Sequence, residues 1–175
     1  LQLYLDLYTN AESMAFVGEP LPPEQATHSF EVALRLNAKT PFKRLFLAIV
    51  EQGRCAGLCA INQWSSETGI AEVGIMLLRP WHGQGYATEA AQACLYFAFS
   101  VLKLDVVVAF TAVQNRASEA VMKRLGMQHR GYFNHPKLDQ NSPLLRHTLY
   151  AIKPTDFLKN HDEYDLNQSI HIVQD

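Results

Sequence analysis

The stretch "WHGQGYATEA", Trp81 to Ala90, has two glycines around a glutamine just before residues that look helical. A glycine-rich turn between a strand and a helix lets backbone N–H groups approach a phosphate closely, and the helix N-terminus adds partial positive charge. Gly83 and Gly85 lie where that geometry needs them. The stretch therefore predicts a phosphate site at the start of a helix.

Two ligand classes that use such turns fit this stretch poorly. A dinucleotide fingerprint needs a third glycine three residues after Gly85, where the sequence has Thr88, and its acidic partner would be Asp105, which precedes the next strand instead of ending it. A Walker loop needs Gly-Lys-Ser or Gly-Lys-Thr, and the chain contains neither. A dinucleotide enzyme is therefore only a distant alternative.

Length, composition and charge limit the remaining classes. We expect one domain over 1–175, with 155–175 as a C-terminal extension of unassigned role, because 175 residues with 48% hydrophobic side chains suit one core. The net charge is -2, and no basic run could follow a nucleic acid backbone or an anionic membrane. The apolar stretches fall short of the roughly 18 residues of a membrane helix. With no basic leader, these features predict a cytoplasmic protein without nucleic acid or membrane partners.

The order of hydrophobic patterns predicts a mixed α/β (α+β) fold. Leu3 to Val17 suits one or two short helices. Pro22 and Pro23 ahead of Glu24 suit the start of a longer helix, with Phe30, Ala33 and Leu34 on its buried face, which should run through about Asn37. Three antiparallel strands follow, and then a helix, a strand, a helix and a last strand. These later segments are "LFLAIVE", "CAGLCAINQW", "IAEVGIMLL", Gly85 to Lys103, "DVVVAFTAV", Asn115 to Gly126 and "RHTLYAI".

The segment "EVGIMLLRPWHGQGYATEA" and the following "LYFAFSVLKLDVVVAFTAVQNRASEAVMKRLGM" resemble the GNAT superfamily of acetyl-CoA-dependent N-acetyltransferases, most closely its RimJ/RimL-like branch. The resemblance covers about Tyr8 to Phe157. It implies a GNAT-type fold, a central mostly antiparallel mixed sheet with a splayed parallel strand pair that binds CoA, flanked by helices. It also implies acetyl-CoA as acetyl donor, with no metal.

Three linked motifs carry this resemblance and imply the cofactor site. The strand "EVGIML" corresponds to the strand that offers backbone groups to the pantetheine, and "HGQGYA" to the family's Q/R-x-x-G-x-G/A pyrophosphate loop, with His82 where that pattern has Gln or Arg. In "NRAS", Asn115 is placed to bond the pantetheine and Ser118 to reach the CoA sulfur. The implied cofactor-binding set is Met76, Leu77, His82, Gly83, Gln84, Gly85, Tyr86, Ala87, Thr88, Asn115 and Ser118.

The reaction itself requires proton transfers. A lysine-like amine has a pKa of about 10.4 and an α-amine of about 8, so a base or a water chain must remove a proton before attack. Glu72 is the candidate base, acting through an ordered water, although it is equally suited to be an ordinary strand carboxylate. Backbone near Met76 and Leu77 would stabilise the oxyanion. Ser118 is the candidate donor to the departing thiolate.

Alternative roles remain open for several of these residues. Ser118 could merely cap backbone N–H groups, and Asn115 could be a plain N-cap, a role compatible with cofactor contact. Many GNAT enzymes have a tyrosine acid seven residues after that asparagine, where this chain has Met122. The three cysteines, Cys55, Cys59 and Cys94, are expected in the core, outside any nucleophile motif.

The acceptor side is less defined. Acceptor entry is expected opposite CoA, between the early helices and the segment from Gly131 to Pro143. His135 is a candidate there, although scattered histidines without metal-ligand spacing are the commoner outcome for His129, His135 and His147. Trp64, Tyr132 and Phe133 could form aromatic walls of this acceptor entrance, and they are equally suited to the core.

These inferences converge on direct acetyl transfer from acetyl-CoA to a primary amine, either a protein N-terminus or a small amine. The rival is an acetyl-CoA sensor without turnover, suggested by Met122 and His82. The family also opens with a strand ahead of its first helix, so we expect that strand to precede this chain or the tail after Pro154 to replace it. A homodimer is a further expectation.

Overall fold

The computed structural model describes residues 1–39, 44–65, 67–136 and 138–158, with only the backbone for 63–65. Helices and strands alternate in groups along the chain. The helices are α1 Gln2–Tyr8, α2 Ala11–Met14, α3 Pro23–Asn37, α4 Tyr86–Ser100, α5 Arg116–Arg124 and α6 Pro154–Leu158. The strands are β1 Leu45–Glu51, β2 Arg54–Ser65, β3 Ile70–Leu77, β4 Val106–Ala112, β5 Gln128–Asn134 and β6 Arg146–Ile152.

The six described strands form one mixed sheet in the order β1-β2-β3-β4-β6-β5. All neighbours are antiparallel except β3 and β4, which run parallel. Their pairing covers only Ile70 to Glu72 against Val106 to Val108. Beyond those three pairs the strands separate, which opens a V-shaped cleft between the carboxyl halves of β3 and β4. This arrangement confirms the predicted fold, including the splayed parallel pair.

Opposite faces of the sheet carry different helices, and cross-strand partners share a face. The back face, with rows such as Ile61–Val73 and Val107–Ile152, packs against α4 in the main hydrophobic core. The front face is defined by the row Asn62–Glu72–Val108–Ala151. It also includes Phe46, whose ring lies 6.5 Å from that of Tyr4 in α1. The core therefore fills the back of the sheet, and α1 and α3 cover the β1–β2 half of the front.

Helix α4 lies against the back of the sheet because its sequence is apolar on most sides. Six of its residues are buried, namely Ala91, Ala93, Cys94, Leu95, Ala98 and Phe99. The small residues let the helix approach the sheet closely, and they contact the apolar residues of β2 and β3. This packing fixes the N-terminus of α4 beside the cleft.

The structure departs from the sequence expectations at several points of secondary structure and burial. Strand β5 was not predicted, because its segment "QHRGYFN" is an edge strand with mostly exposed polar residues and no apolar alternation. Leu34 is 52% exposed although it neighbours buried Ala33, since one step along a helix turns the side chain by about 100° away from the packed face. Cys55 is exposed at the start of β2, whereas Cys59 and Cys94 are buried. Helix α4 ends at Ser100, before Lys103.

Candidate active site

The loop from Arg79 to Gly85 connects the end of β3 to α4 and stands at the mouth of the cleft. Gly83 and Gly85 have φ angles of +74° and +93°, in the left-handed region that glycine adopts without strain. A Cβ at either position would meet no atom within 4 Å, so backbone conformation rather than space selects glycine here. Gly85 is the N-cap of α4 and no side chain caps that helix. The N–H groups of Tyr86 and Ala87 have no intrahelical acceptor among the described residues and are available to an anion, whereas the Thr88 N–H donates to the Gly85 carbonyl at 2.9 Å.

Two side chains of the loop contact nearby backbone carbonyls. The Nε2 of His82 lies 3.0 Å from the carbonyl oxygen of Leu77 at the end of β3, and the Gln84 amide donates to the Pro80 carbonyl within the loop at 2.6 Å. The ring of Trp81 packs edge-on against Tyr86, with centroids 5.3 Å apart. His82 therefore holds the loop against the end of β3, and Gln84 stabilises the turn within it.

The carboxyl half of β3 forms one wall of the cleft. Met76 and Leu77 are paired with Leu58 and Gly57 of β2, and their other edge faces the cleft. Successive residues of an antiparallel strand direct their N–H groups to opposite edges, so one of these two must point an N–H into the opening. Gly57 keeps the wall in place, because a Cβ there would clash with the carbonyl oxygen of Met76 and with the Leu77 backbone.

The opposite wall ends in the first turn of α5. The Asn115 side-chain oxygen accepts a hydrogen bond of 3.2 Å from the Ser118 N–H, which makes Asn115 the N-cap of the helix. The Ser118 hydroxyl makes no hydrogen bond to another described residue. Capping is therefore performed by Asn115, and both the Ser118 hydroxyl and the Asn115 amide NH₂ remain available to a ligand. Met122, one turn further along the helix, is buried in the core with 3% exposure.

A polar network holds α5 against β6. The phenol of the buried Tyr150 donates to Glu119 at 3.0 Å, and Lys123 and Arg116 each lie 2.9 Å from the same carboxylate. Hydrogen bonds from Lys123, Arg116 and Tyr150 lower the pKa of Glu119 to about 2. The carboxylate is therefore charged at neutral pH and fixes the helix that carries Asn115 and Ser118.

Glu72 lies at the closed end of the cleft, in the last paired row of β3 and β4. Its neighbour across β2 is Asn62, whose side-chain oxygen is buried and has no hydrogen-bond partner among the described residues. Met76 is four residues further along β3, which corresponds to about 13 Å at the usual rise of a strand. A proton could pass from a group beside Met76 to Glu72 only through intervening water.

The structure brings together two of the three C-terminal histidines. The rings of His135 and His147 have centroids 4.9 Å apart, and both pack against Phe110 and Phe133. His129 is separate and contacts Tyr132 and Tyr150 instead. The expectation of scattered histidines was therefore wrong for His135 and His147.

The residues expected to form aromatic walls of the acceptor entrance do not lie together. Phe133 pairs with His147 and Tyr132 with Thr148, so the two aromatic side chains point to opposite faces of the sheet. Tyr132 is 59% exposed on the back face, beneath the guanidinium of Arg146. The side chain of Trp64 lies outside the described residues, as does the tail from 159 to 175.

Sequence reasoning missed three groups of this region. Phe110 and His147 join the site only through the register of β4, β5 and β6, and Asn62 only through its pairing with Glu72. The alternation within "RHTLYAI" could have placed His147 on one face, but not beside Phe110 and Phe133, because β5 was unrecognised. Within the described ranges, no three His, Cys, Asp or Glu side chains gather as a metal site.

Comparison with known proteins agrees with this geometry. The acetyltransferase (GNAT) domain family matches residues 1–128. The chain belongs to the GNAT acetyltransferase family. This assignment rests on nearly three quarters of the chain and includes β3, the glycine loop, α4 and the Asn115–Ser118 turn.

Individual relatives of this GNAT domain are distant. It is 28% identical over 107 residues to the uncharacterized N-acetyltransferase p20 of Bacillus licheniformis, covering 61% of this chain and 60% of p20. It is 38% identical over 138 residues to FsC-acetyl coenzyme A-N(2)-transacetylase of Aspergillus fumigatus, covering 74% and 58%. The chain thus spans between 36% and 60% of the length of the curated relatives it matches.

Solved structures share the fold of this GNAT domain. Spermidine N-acetyltransferase from Vibrio cholerae, in complex with CoA and spermine, superposes with a TM-score of 0.77 and 16% identity over 90% of this chain and 91% of that one. At this identity the likeness concerns the fold alone.

No helix of the described part has the length and apolar character needed to cross a membrane.

Proposed function

We propose that the protein transfers the acetyl group of acetyl-CoA directly to a primary amine. One observation carries this proposal: the β3–β4 cleft opens onto the uncapped N-terminus of α4, and Asn115 and Ser118 stand on its other wall. A long ligand with a pyrophosphate at one end and a thioester at the other fits this order of groups. Family membership supports acetyl-CoA as that ligand.

The donor would lie along the cleft with each part against a different element. The pyrophosphate would accept hydrogen bonds from the N–H groups of Gly83 to Ala87, aided by the partial positive charge of α4, while the Thr88 N–H donates to the Gly85 carbonyl. The pantetheine would follow the open edge of β3 at Met76 and Leu77 and contact Asn115. This places the sulfur near the unused hydroxyl of Ser118. Each of these roles is a prediction that substitution can test.

Direct transfer agrees with the state of the cysteines. Cys59 and Cys94 are buried, and the hydrogen bond to Cys59 together with burial raises the pKa of the Cys94 thiol. The same hydrogen bond lowers the pKa of Cys59, and it is burial in the core behind the sheet that keeps this thiol from a thioester in the cleft. Cys55 is exposed at the β1–β2 turn, on the side of β3 away from the cleft. The amine nitrogen, rather than a cysteine, would therefore attack the thioester carbon.

Protons must leave the amine and reach the sulfur. An ammonium first loses a proton, the resulting lone pair forms the C–N bond, and the C–S bond breaks with its electrons on sulfur, while a second proton leaves the nitrogen and reaches the thiolate. We assign proton removal to Glu72 through water, since buried Asn62 beside it offers an oxygen that could hold such a water. We assign the hydrogen bond to the departing thiolate to Ser118. The oxyanion would be stabilised by the N–H of Met76 or Leu77.

The acceptor class and the RimJ/RimL-like branch belong to the proposal as well. The "NRAS" turn, with its free Ser118 hydroxyl, supports this branch and with it a protein N-terminus. A small amine is the other option, since one protein of similar fold is a spermidine N-acetyltransferase. A cytoplasmic location, a homodimer and a single domain over 1–175 remain predictions.

Thermal unfolding with and without acetyl-CoA tests the donor site first, with NAD and ATP as controls. A ligand at about one hundred times its dissociation constant adds roughly 2.7 kcal/mol, which raises the midpoint by several degrees. A shift with NAD and none with acetyl-CoA would refute the proposal. Product formation with an amine panel then separates the enzyme from the alternative, a sensor that binds acetyl-CoA without turnover and is favoured by Met122 replacing the usual tyrosine.

A further inference from the structure

Four aromatic side chains form a continuous cluster on the front face of the sheet. Phe110 comes from β4, Phe133 from β5, His147 from β6 and His135 from the residues after β5. Their ring centroids lie between 4.9 Å and 6.5 Å apart, in tilted and edge-on arrangements. We call these four residues the aromatic cluster. Side chains from three different strands thus form one surface.

The cluster stands level with the proposed thioester position. Ala112 lies four residues beyond Val108 on β4, as Met76 lies four residues beyond Glu72 on β3, and the partner of Ala112 on β6 is His147. His147 is therefore at the height of Met76 along the cleft, on the same face as Glu72. An amine that reaches the thioester from the front of the sheet therefore approaches on the face that carries these rings.

The cluster is accessible from the front. His147 is 6% exposed at its centre, whereas Phe110, Phe133 and His135 are half-buried and present part of their rings to solvent. Helices α1 and α3 pack on β1 and β2, the other half of this face. A ligand could thus rest on the rings without displacing a helix.

The charges of this surface limit which amines it suits. Glu72 is the only acidic residue in strands β3 to β6. Asp139, in the loop that follows the cluster, is exposed and accepts a hydrogen bond of 2.8 Å from the Asn141 N–H. Burial, followed by the neighbouring His135, lowers the pKa of His147, so this ring is neutral at physiological pH. Within the described part of the chain, Glu72 and Asp139 are the carboxylates of this surface, so an acceptor with several ammonium groups is poorly matched, whereas one ammonium on an apolar or aromatic skeleton is well matched.

We propose that Phe110, Phe133, His135 and His147 form the acceptor pocket and select a monoamine whose neighbouring carbon skeleton is apolar or aromatic. The pocket deepens the proposed acetyl transfer and rests on it. Ring faces contact the skeleton and attract the single positive charge, and the amine then lies beside Met76. A free arylalkylamine and a peptide with an aromatic first residue present the same chemistry.

Calorimetric titration of the CoA-saturated protein tests this pocket without requiring turnover. The probes are phenethylamine, phenylalanyl-alanine amide and spermidine. We expect at least one of the two aromatic probes to bind at least about tenfold more tightly than spermidine. The probe that binds better then shows whether the pocket takes a free arylalkylamine or a peptide N-terminus. Tighter binding of spermidine would overturn the proposal. It would point instead to a separate pocket lined by Asp6 and Glu12, next to helices α1 and α2.

Matched substitutions test whether the aromatic probes bind at the aromatic cluster. Phe133→Leu should weaken the aromatic probe about tenfold, and Tyr132→Leu, its neighbour on the back face, should leave binding unchanged. Phe110→Leu gives a second measurement if Phe133→Leu does not fold. Equal effects of Phe133→Leu and Tyr132→Leu, or none from Phe133→Leu and Phe110→Leu, contradict the pocket. An aromatic amine that binds but is never acetylated would refute the proposed enzyme function and leave the pocket standing.

Discussion

Replacing Gly85 by alanine tests whether the backbone of the loop, rather than its side chains, binds the pyrophosphate. The φ angle of Gly85 is +93°, and a Cβ there would meet no atom within 4 Å. The substitution therefore adds conformational strain without a clash. For a residue with a side chain, the left-handed region costs about 1–2 kcal/mol. The loop can relieve this strain only by turning the peptide groups at the start of α4 away from their present direction.

The expected loss can be divided between folding and binding. If the loop keeps its conformation, the free energy of unfolding falls by about 1–2 kcal/mol, and the midpoint by about 2–4 °C per kcal/mol for a chain of this size. If the loop relaxes, the N–H groups no longer converge on the phosphate, and the same 1–2 kcal/mol appears as a roughly 5- to 30-fold weaker affinity for acetyl-CoA. We expect the second outcome to dominate, because the loop is exposed.

Gly131→Ala is the matched control. Gly131 lies in the edge strand β5 with a φ of +119°, and it too has no atom within 4 Å of an added Cβ. It carries the same kind of strain in a strand that β6 separates from the cleft wall at β4. Calorimetric titration with acetyl-CoA should show weaker binding for Gly85→Ala and unchanged binding for Gly131→Ala. Equal affinities for the two variants would refute the assignment of the pyrophosphate to this turn.

Four further substitutions test other parts of the site. Gly57→Ala should lower the midpoint of unfolding by several degrees and weaken acetyl-CoA binding, because overpacking against the Met76 carbonyl and the Leu77 backbone costs about 1–3 kcal/mol. Ser118→Ala should lower kcat at least tenfold with little change in the Kd for acetyl-CoA; a reduced affinity with normal kcat would contradict its role at the sulfur. Glu72→Gln should lower kcat about 10²-fold or more in steady-state assays, whereas Glu31→Gln on exposed α3 should not. Glu119 has a pKa lowered from 4.5 to about 2, so its contribution to stability is present above pH 4.5 and is lost as the pH falls toward 2. Urea unfolding should therefore show Glu119→Gln less stable than the parent at pH 7, with a smaller difference at pH 3; a difference that grows on acidification would contradict this sign.

The elements closest in sequence to the cofactor site were the most predictable. The glycines before α4, the N-cap at Asn115 and the apolar runs of β3 and β4 are local features whose conformation depends on neighbours a few residues away. Glycine at positive φ and a side-chain amide at a helix start have few structural alternatives. The sequence therefore located both walls of the cleft before their distance in space was known.

The acceptor side was less predictable because it depends on register between distant strands. His135 and His147 are separated along the chain and meet only because β5 and β6 pair, and β5 is an edge strand whose polar residues hide the usual alternation. The interpretation of Tyr132 and Phe133 as two walls of one mouth failed for a related reason. Adjacent residues of a strand point to opposite faces, so only one of them can reach the acceptor.

Donor and acceptor recognition therefore use different kinds of chemistry in this fold. In the proposed site the donor wall offers mainly backbone groups, because the His82 and Gln84 side chains are engaged with the carbonyl oxygens of Leu77 and Pro80. The acceptor wall relies on side chains that strand pairing brings together, where one substitution changes the surface without altering the cleft. An acceptor cannot be transferred to this chain from relatives that share the donor site, and the aromatic cluster is where its own choice of amine must be measured.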